Sequence, residues 1–338
     1  MKIILGIFSG NDKVLGIKES LEKMGHEVMP VYTDDYRMIC PYYKKKLDKM
    51  GFHLFRMKYE EMWKQHLHGL LDEFHPDVVL FINFPEYIFD IRDLQDIKKQ
   101  SKIICWFVDG VSEKKELIKY YPYFDRICVF EERDVMFLHD VCNISSLYVP
   151  VGYNAAYENC KPEKKEFDII FIGSPLINRL KILESVAKKA EEEKWKLTIY
   201  GPFYDERYPW KKYFFRVKYP HIVKYLKNTR VMASQVAKLY SKTKICLNIH
   251  TPEHKSPNPR TFDILATGSF ELIDERKSYG GFLEEDRDLV QFKDIDDLLD
   301  KIDYYLRYEA EREKIAENGH RAVSGILDMK SLLTTVLG

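Results

Sequence analysis

The chain has 338 residues, 45% of them hydrophobic and 31% charged, with 53 basic and 53 acidic side chains and a formal net charge of zero. That length exceeds one ordinary core and predicts two domains. The balanced charge argues against nucleic acid as a partner, which usually leaves a basic surplus, and no apolar run approaches the roughly 20 residues needed to span a bilayer.

The first run, Met1-Lys2-Ile3-Ile4-Leu5-Gly6-Ile7-Phe8, is too short for a signal peptide and passes into Ser9-Gly10-Asn11 without a cleavage site. It reads as a first strand, over 2–8, of a cytoplasmic protein. Further strands are expected at 27–32, 78–83, 102–108, 126–130 and 146–149, with helical patterns at Lys13–Met24 and Tyr59–Glu73. Polar residues 158–166, with Pro162, suit a linker. The alternation then restarts, with strands at 168–172, 196–200, 244–249, 269–273 and 288–292 and helices at Arg179–Glu192, Ala233–Tyr240 and Asp296–Tyr308. Short apolar strands separated by helices predict parallel sheets covered on both faces, an α/β class. The expected division is 1–160, 161–325 and a terminal helix, 326–338, packing back towards the first domain. Cys105, Cys128 and Cys246 fall within apolar strand runs and no CxxC pair occurs, so the thiols read as reduced and structural.

Both halves begin with a strand that enters a glycine–serine loop: Ser9, Gly10 and Asn11 in the first, Gly173 and Ser174 in the second. Neither loop carries the three glycines of a dinucleotide fingerprint or a GxxxxGK[ST] motif, which argues against a nicotinamide dehydrogenase and a P-loop kinase. Asp109 ends the buried run Ile103–Val108, where functional groups of α/β folds collect. It serves either as a general base or as a cap for a helix over 112–120. Residues 207–230 carry eight lysines and arginines interleaved with aromatics and no acid. Such a stretch lies on anionic membrane, grips a polyanion, or packs its aromatics inward beneath solvated lysines.

The most informative segment is Ser256-Pro257-Asn258-Pro259-Arg260-Thr261-Phe262-Asp263-Ile264-Leu265-Ala266-Thr267-Gly268. Pro259 suits a first helical position and Gly268 a stop. The amides of the first turn, together with Arg260, are expected to bind phosphate. Asp263, one turn on, can accept bonds from sugar hydroxyls. His250 ends the 244–249 strand and His254 lies in the following loop; each either touches donor phosphate or sugar or is a satisfied loop histidine. Asp294-Ile295-Asp296-Asp297 matches an Asp-x-Asp metal motif only superficially, because it directly precedes an amphipathic helix and reads as its cap. No obligatory metal or cofactor is expected.

The run Arg260-Thr261-Phe262-Asp263-Ile264-Leu265-Ala266-Thr267-Gly268 resembles the Arg-x-Phe-Glu-x-x-Ala-x-Gly segment of glycosyltransferases with two Rossmann-like domains, in particular the group related to the spore maturation protein CgeB. Phe171-Ile172-Gly173-Ser174 followed by Arg179 is similar to the opening of that group's nucleotide domain, and Trp106-Phe107-Val108-Asp109 to a strand end in its first domain. The resemblance covers about 168–325. It implies a GT-B fold with two doubly wound domains facing a central cleft, the sugar nucleotide held by the second and the acceptor approached from Ser9, Gly10 and Asn11 of the first. The implied donor-side residues are Gly173, Ser174, Arg179, His250, Lys255, Asn258, Arg260, Thr261 and Asp263, with Asp109 as base. Two positions depart from the family: Asp263 stands for its glutamate, and Lys255 where retaining enzymes place a further glutamate. The expected activity is transfer of a sugar from a nucleoside diphosphate donor, a UDP-sugar by first choice, to a glycan or surface polymer. A sugar-nucleotide 2-epimerase on the same frame and a non-catalytic sugar-nucleotide-binding or coat-assembly protein are the alternatives.

Overall fold

Runs such as Val78-Val79-Leu80-Phe81-Ile82 bury every side chain, which only a strand covered on both faces allows. The computed structural model describes residues 1–7, 12–32, 54–86, 88–153, 155–158, 160, 163–251 and 256–338. These form two compact units, one of Met1–Val151 with Met329–Gly338 and one of Gly152–Asp328.

The first unit holds one parallel sheet of β1 (Lys2–Ile7), β2 (Glu27–Tyr32), β3 (Val78–Ile82), β4 (Lys102–Phe107), β5 (Arg126–Val129) and β6 (Leu147–Tyr148), in the order β2-β1-β3-β4-β5-β6. Helices Asp12–Lys23, Leu54–Phe74, Ile91–Lys98 and Glu132–Asp140 connect the strands. Its core is aromatic, with Trp63, Phe81, Phe84, Phe89 and Phe107 buried together. Phe81 and Phe89 meet edge-on at 5.5 Å, the arrangement ring quadrupoles favour. The last helix, Met329–Leu337, belongs to this unit, and Arg126 Nη1 donates to Thr335 O at 2.9 Å. The helix expected at 112–120 is instead a 3-10 helix over Lys115–Tyr123. Pro122, which has no N–H, sits in its last turn.

The second unit repeats the plan with β7 (Phe167–Ile172), β8 (Leu197–Tyr200), β9 (Leu226–Lys227), β10 (Thr243–Asn248), β11 (Glu271–Asp274) and β12 (Val290–Phe292), in the order β12-β11-β10-β7-β8-β9, all parallel. Its core joins Phe171, Leu183, Val186, Ile199, Leu247, Leu272 and Val290. The short β9 was not expected; two residues, one of them a lysine, give too little apolar pattern to register. Helices Ile177–Glu193, Ala233–Ser241, Pro259–Ala266, Ile295–Arg307 and Glu309–Val323 complete the layers. Cys105, Cys128 and Cys246 are buried free thiols, as the sequence predicts. Asp294 accepts the Asp297 N–H at 2.9 Å and caps the Ile295–Arg307 helix, the role expected of the Asp-x-Asp run.

Candidate functional site

In the second unit the strand order reverses between β7 and β10: from β7 the chain steps outward through β8, then crosses back to β10 on the other side. Loops leaving the carboxyl ends of two such strands diverge, and the space between them is where doubly wound folds bind ligands. The Gly173 loop leaves β7 there, and the segment leading to Arg260 leaves β10.

Asn258 caps the helix Pro259–Ala266, its Oδ1 accepting the Arg260 N–H at 2.9 Å, while its carbonyl accepts the Thr261 N–H at 3.0 Å. This corrects the expectation that the first-turn amides meet phosphate. Pro259 has no N–H, and the next two are already satisfied by Asn258. What the cap leaves for a ligand is the Arg260 side chain.

That guanidinium is half-buried and held from two sides. Its Nη1 donates to Asn248 Oδ1 at 2.9 Å, and its plane lies 5.9 Å from the Phe171 ring centre. A side chain at position 173 would bring a Cβ to 2.8 Å from the Phe171 ring and 3.3 Å from Arg260 Nη2, so glycine makes room for this stack. Gly201, with φ 152°, is tighter still, because a Cβ there would run into the Gly173 carbonyl. The remaining N–H groups of Arg260 make no hydrogen bond among the described residues.

Beneath Arg260 lies a buried polar cluster. Asn248 Nδ2 donates to Glu271 Oε1 at 2.7 Å and to Thr261 Oγ1 at 3.2 Å, fixing its amide so that Oδ1 faces the arginine. Glu271 is fully buried and its Oε2 has no hydrogen-bond partner among the described residues. Burial pushes its carboxyl up to about 7, opposed by the bonds from Asn248 and Thr261 and by the charge of Arg260. Thr261 was expected to meet the donor; its side chain is instead fully buried in this cluster.

His250 is likewise committed internally. Nε2 accepts the Asn258 N–H at 2.8 Å, which makes Nδ1 the protonated nitrogen, and that N–H donates to Asp274 Oδ1 at 2.7 Å. Asp274 also accepts the His250 backbone N–H at 3.0 Å and pairs with Arg276 at 2.7 Å. Burial drives the imidazole pKa down to about 4, so the ring is neutral. Both ring nitrogens are used, so of the two readings the geometry gives the satisfied histidine and not the donor contact. His250 is a strut that fixes where Asn258, and hence the helix start, stands.

Arg179 is also buried. Its Nε donates to Ile249 O at 2.7 Å and its Nη1 to Ser174 O at 3.4 Å, while neighbouring Asn178 Nδ2 reaches His250 O at 2.8 Å. These bonds tie the loop after β7 to the end of β10. Burial, then the nearby charge of Arg260, lowers the Arg179 pKa to about 10. Two guanidinium groups within electrostatic reach make the spot strongly attractive to an anion. The helix Ile177–Glu193 starts beside them, and no side chain among the described residues caps it. Asp263 is half-buried one turn along from Arg260, and Ser174 is exposed.

In the first unit Asp109 is exposed just beyond β4 and accepts a bond from Asn83 Nδ2 at 2.9 Å. It caps no helix: the 3-10 segment starts at Lys115 without a side-chain cap. The loop is instead pinned by buried Asp134, which accepts the N–H groups of Val111 at 2.8 Å and Ser112 at 3.1 Å. Asn83 itself holds φ 59° and accepts the Val108 N–H at 2.9 Å. Ser9, Gly10, Asn11, His254 and Lys255 lie outside the described residues. The sequence reading missed Asn248, Glu271 and Asp274. A polar residue at the carboxyl end of an otherwise apolar strand was the available signal for Asn248 and Asp274. Glu271, inside a buried strand, was legible only as a departure from the apolar pattern.

Residues 179–337 match the family model described as glycosyl transferase-like. No curated protein matches the chain in sequence. Among solved structures, the chain is similar to a glycosyltransferase from Rickettsia africae (13% identity, 99% of this chain and 97% of that one, TM-score 0.68). It is similar also to a sucrose-phosphate synthase from Thermosynechococcus elongatus (11% identity, 99% and 97%, TM-score 0.70). A third is HepE from Anabaena, solved in complex with UDP-glucose (11% identity, 100% and 98%, TM-score 0.65). The likeness runs through both units, and the chain has the α/β GT-B fold of two parallel six-stranded sheets.

Proposed function

We propose that this protein is a glycosyltransferase that moves a sugar from a nucleoside diphosphate donor, a UDP-sugar by first choice, to a glycan or surface-polymer acceptor. The observation that carries the reading is Arg260, braced by Asn248 and Phe171 at the β7/β10 switch point, with donors left over for a phosphate. The match of residues 179–337 to a glycosyl transferase-like model supports it, as does the likeness to a structure that holds UDP-glucose. The Arg260–Asp274 segment further supports a place beside the CgeB-like group.

In this reading Arg260 and the uncapped amides at the start of Ile177–Glu193 hold the diphosphate, with Arg179 adding charge from below. Gly173 and Ser174 let phosphate approach the backbone, Asp263 accepts the ribose hydroxyls, and Lys255 supplies a further cation. The acceptor hydroxyl bonds to the anomeric carbon, the bond from that carbon to the diphosphate oxygen breaks, and the hydroxyl proton passes to Asp109. The leaving group carries its charge onto Arg260, so no metal is required. Incubation with UDP-sugars tests this by UDP release. Slow hydrolysis that persists in chelator and rises with a glycan acceptor is expected; binding without release, or an isomerised donor, would favour a different activity.

A further inference from the structure

The helix Pro209–Lys218 is built inside out. Its apolar residues Trp210, Tyr213, Phe214 and Val217 recur at the spacing that makes one stripe of a helix, the stripe a surface helix normally buries. Here they are 56%, 65%, 65% and 63% exposed, and no residue of the helix is buried. The helix is attached to its unit by its other side, through Phe215, which packs against Phe203 at 5.9 Å and Tyr204 at 5.5 Å. An outward stripe of this kind covers no core of its own unit and is a docking surface.

The charges around the stripe identify what it meets. Lys211, Lys212, Arg216 and Lys218 flank it, and no acid occurs between Arg207 and Arg230. Lys211 lies over the Tyr208 ring at 4.5 Å and Lys218 over Tyr219 at 5.4 Å, which props their stems along the aromatic surface. Lys212 and Arg216 form no ion pair among the described residues. Lys211, Lys218 and Arg230 also line a groove of about 890 Å³ beside the helix. The two acids at that groove are engaged, Asp205 with Arg207 at 2.7 Å and Glu206 with Asn228 Nδ2 at 3.1 Å. Aromatic rings in a row, bordered by cations, match the boundary of an anionic bilayer, where rings seat at headgroup level and lysines reach phosphate. A second copy fits poorly, because a two-fold contact would set the same cations against each other.

We infer that the helix Pro209–Lys218 docks the second unit on an anionic lipid surface, with Trp210, Tyr213, Phe214 and Val217 seated at headgroup depth and the flanking cations on phosphates. The inference stands apart from the assigned activity, since it uses none of the residues placed at the Arg260 site. Flotation with phosphatidylcholine vesicles, with and without about 30% phosphatidylglycerol, tests it. The intact chain should float with the anionic vesicles at least about tenfold more than with neutral ones, and be released by high salt. Trp210→Ser with Phe214→Ser, and separately Lys212→Glu with Arg216→Glu, should each cut flotation about tenfold while leaving the unfolding temperature unchanged. Absence of flotation, equal binding to neutral vesicles, or a dimer in sedimentation that these variants abolish would each overturn it. The comparison of vesicles with the unaltered chain decides the matter even if a variant misfolds.

Discussion

Arg260 illustrates how much of a site is carried by residues that never meet the ligand. Its guanidinium has five donors in a rigid fork, but the fork is aimed by Asn248, which is aimed by Glu271 and Thr261. Replacing Arg260 with Ala should lower kcat/KM for donor hydrolysis by about 10²–10³ with little change in stability. Gly173→Ala should act differently, since its Cβ meets both the Phe171 ring and Arg260. A thermal melt should show destabilisation of about 1–3 kcal/mol, and a titration weakened nucleotide binding. The two titrating groups pull in opposite directions with pH. His250 has its folded pKa lowered from 6.5 to about 4, so its stabilising contribution is full above pH 6.5 and fades as pH falls towards 4, roughly 3 kcal/mol in all. Glu271 has its folded pKa raised from 4.5 to about 7, so it weakens the fold as pH rises through that interval. Stability measured against pH should therefore lose its decline between about pH 4.5 and 7 in Glu271→Gln. An unchanged profile in that variant would show that Glu271 does not titrate as described.

At the scale of elements, most of what the sequence disclosed came from local pattern, and most of what it hid came from satisfaction of polar groups. Asn258-Pro259 and Gly268 announced the helix start and stop because each residue type has one conformational use there, and the helix runs Pro259–Ala266 with Gly268 at φ 66°. That Asn258 would consume the amides expected to hold phosphate was not legible, because a cap's partners follow from backbone angles. His250 and Thr261 looked like ligands for the same reason: a polar residue near a loop reads alike whether its partner is protein or substrate. Asn258→Ala removes the cap and the acceptor at Arg260 N–H. It should cost about 1 kcal/mol in a denaturant titration and loosen the helix that carries Arg260. An intact melt with intact nucleotide affinity would mean that the cap does not position the arginine. The basic and aromatic run over 207–230 was legible as a candidate surface, but whether its aromatics face inward or outward was not, since a stripe has no sign in sequence.

At the scale of the whole chain, the repeat of strand–helix alternation after residue 166 makes two α/β units legible in the sequence, because burial on both faces writes each parallel strand as an apolar run. Met329–Leu337 belongs to the first unit, held by contacts such as Arg126 Nη1 with Thr335 O, separated by 209 positions. If the leaving diphosphate is neutralised by Arg260 and helix-start amides, donor turnover should be unaffected by chelator. Loss of turnover that manganese restores would instead place a metal in the reaction. The central claim is that the β7/β10 end of the second unit grips a diphosphate through Arg260, and calorimetric titration of UDP into the chain and into Arg260→Ala tests it most directly. Saturable binding that weakens at least about thirtyfold in the variant is predicted; no binding by the unaltered chain, or equal affinity in both, would contradict it.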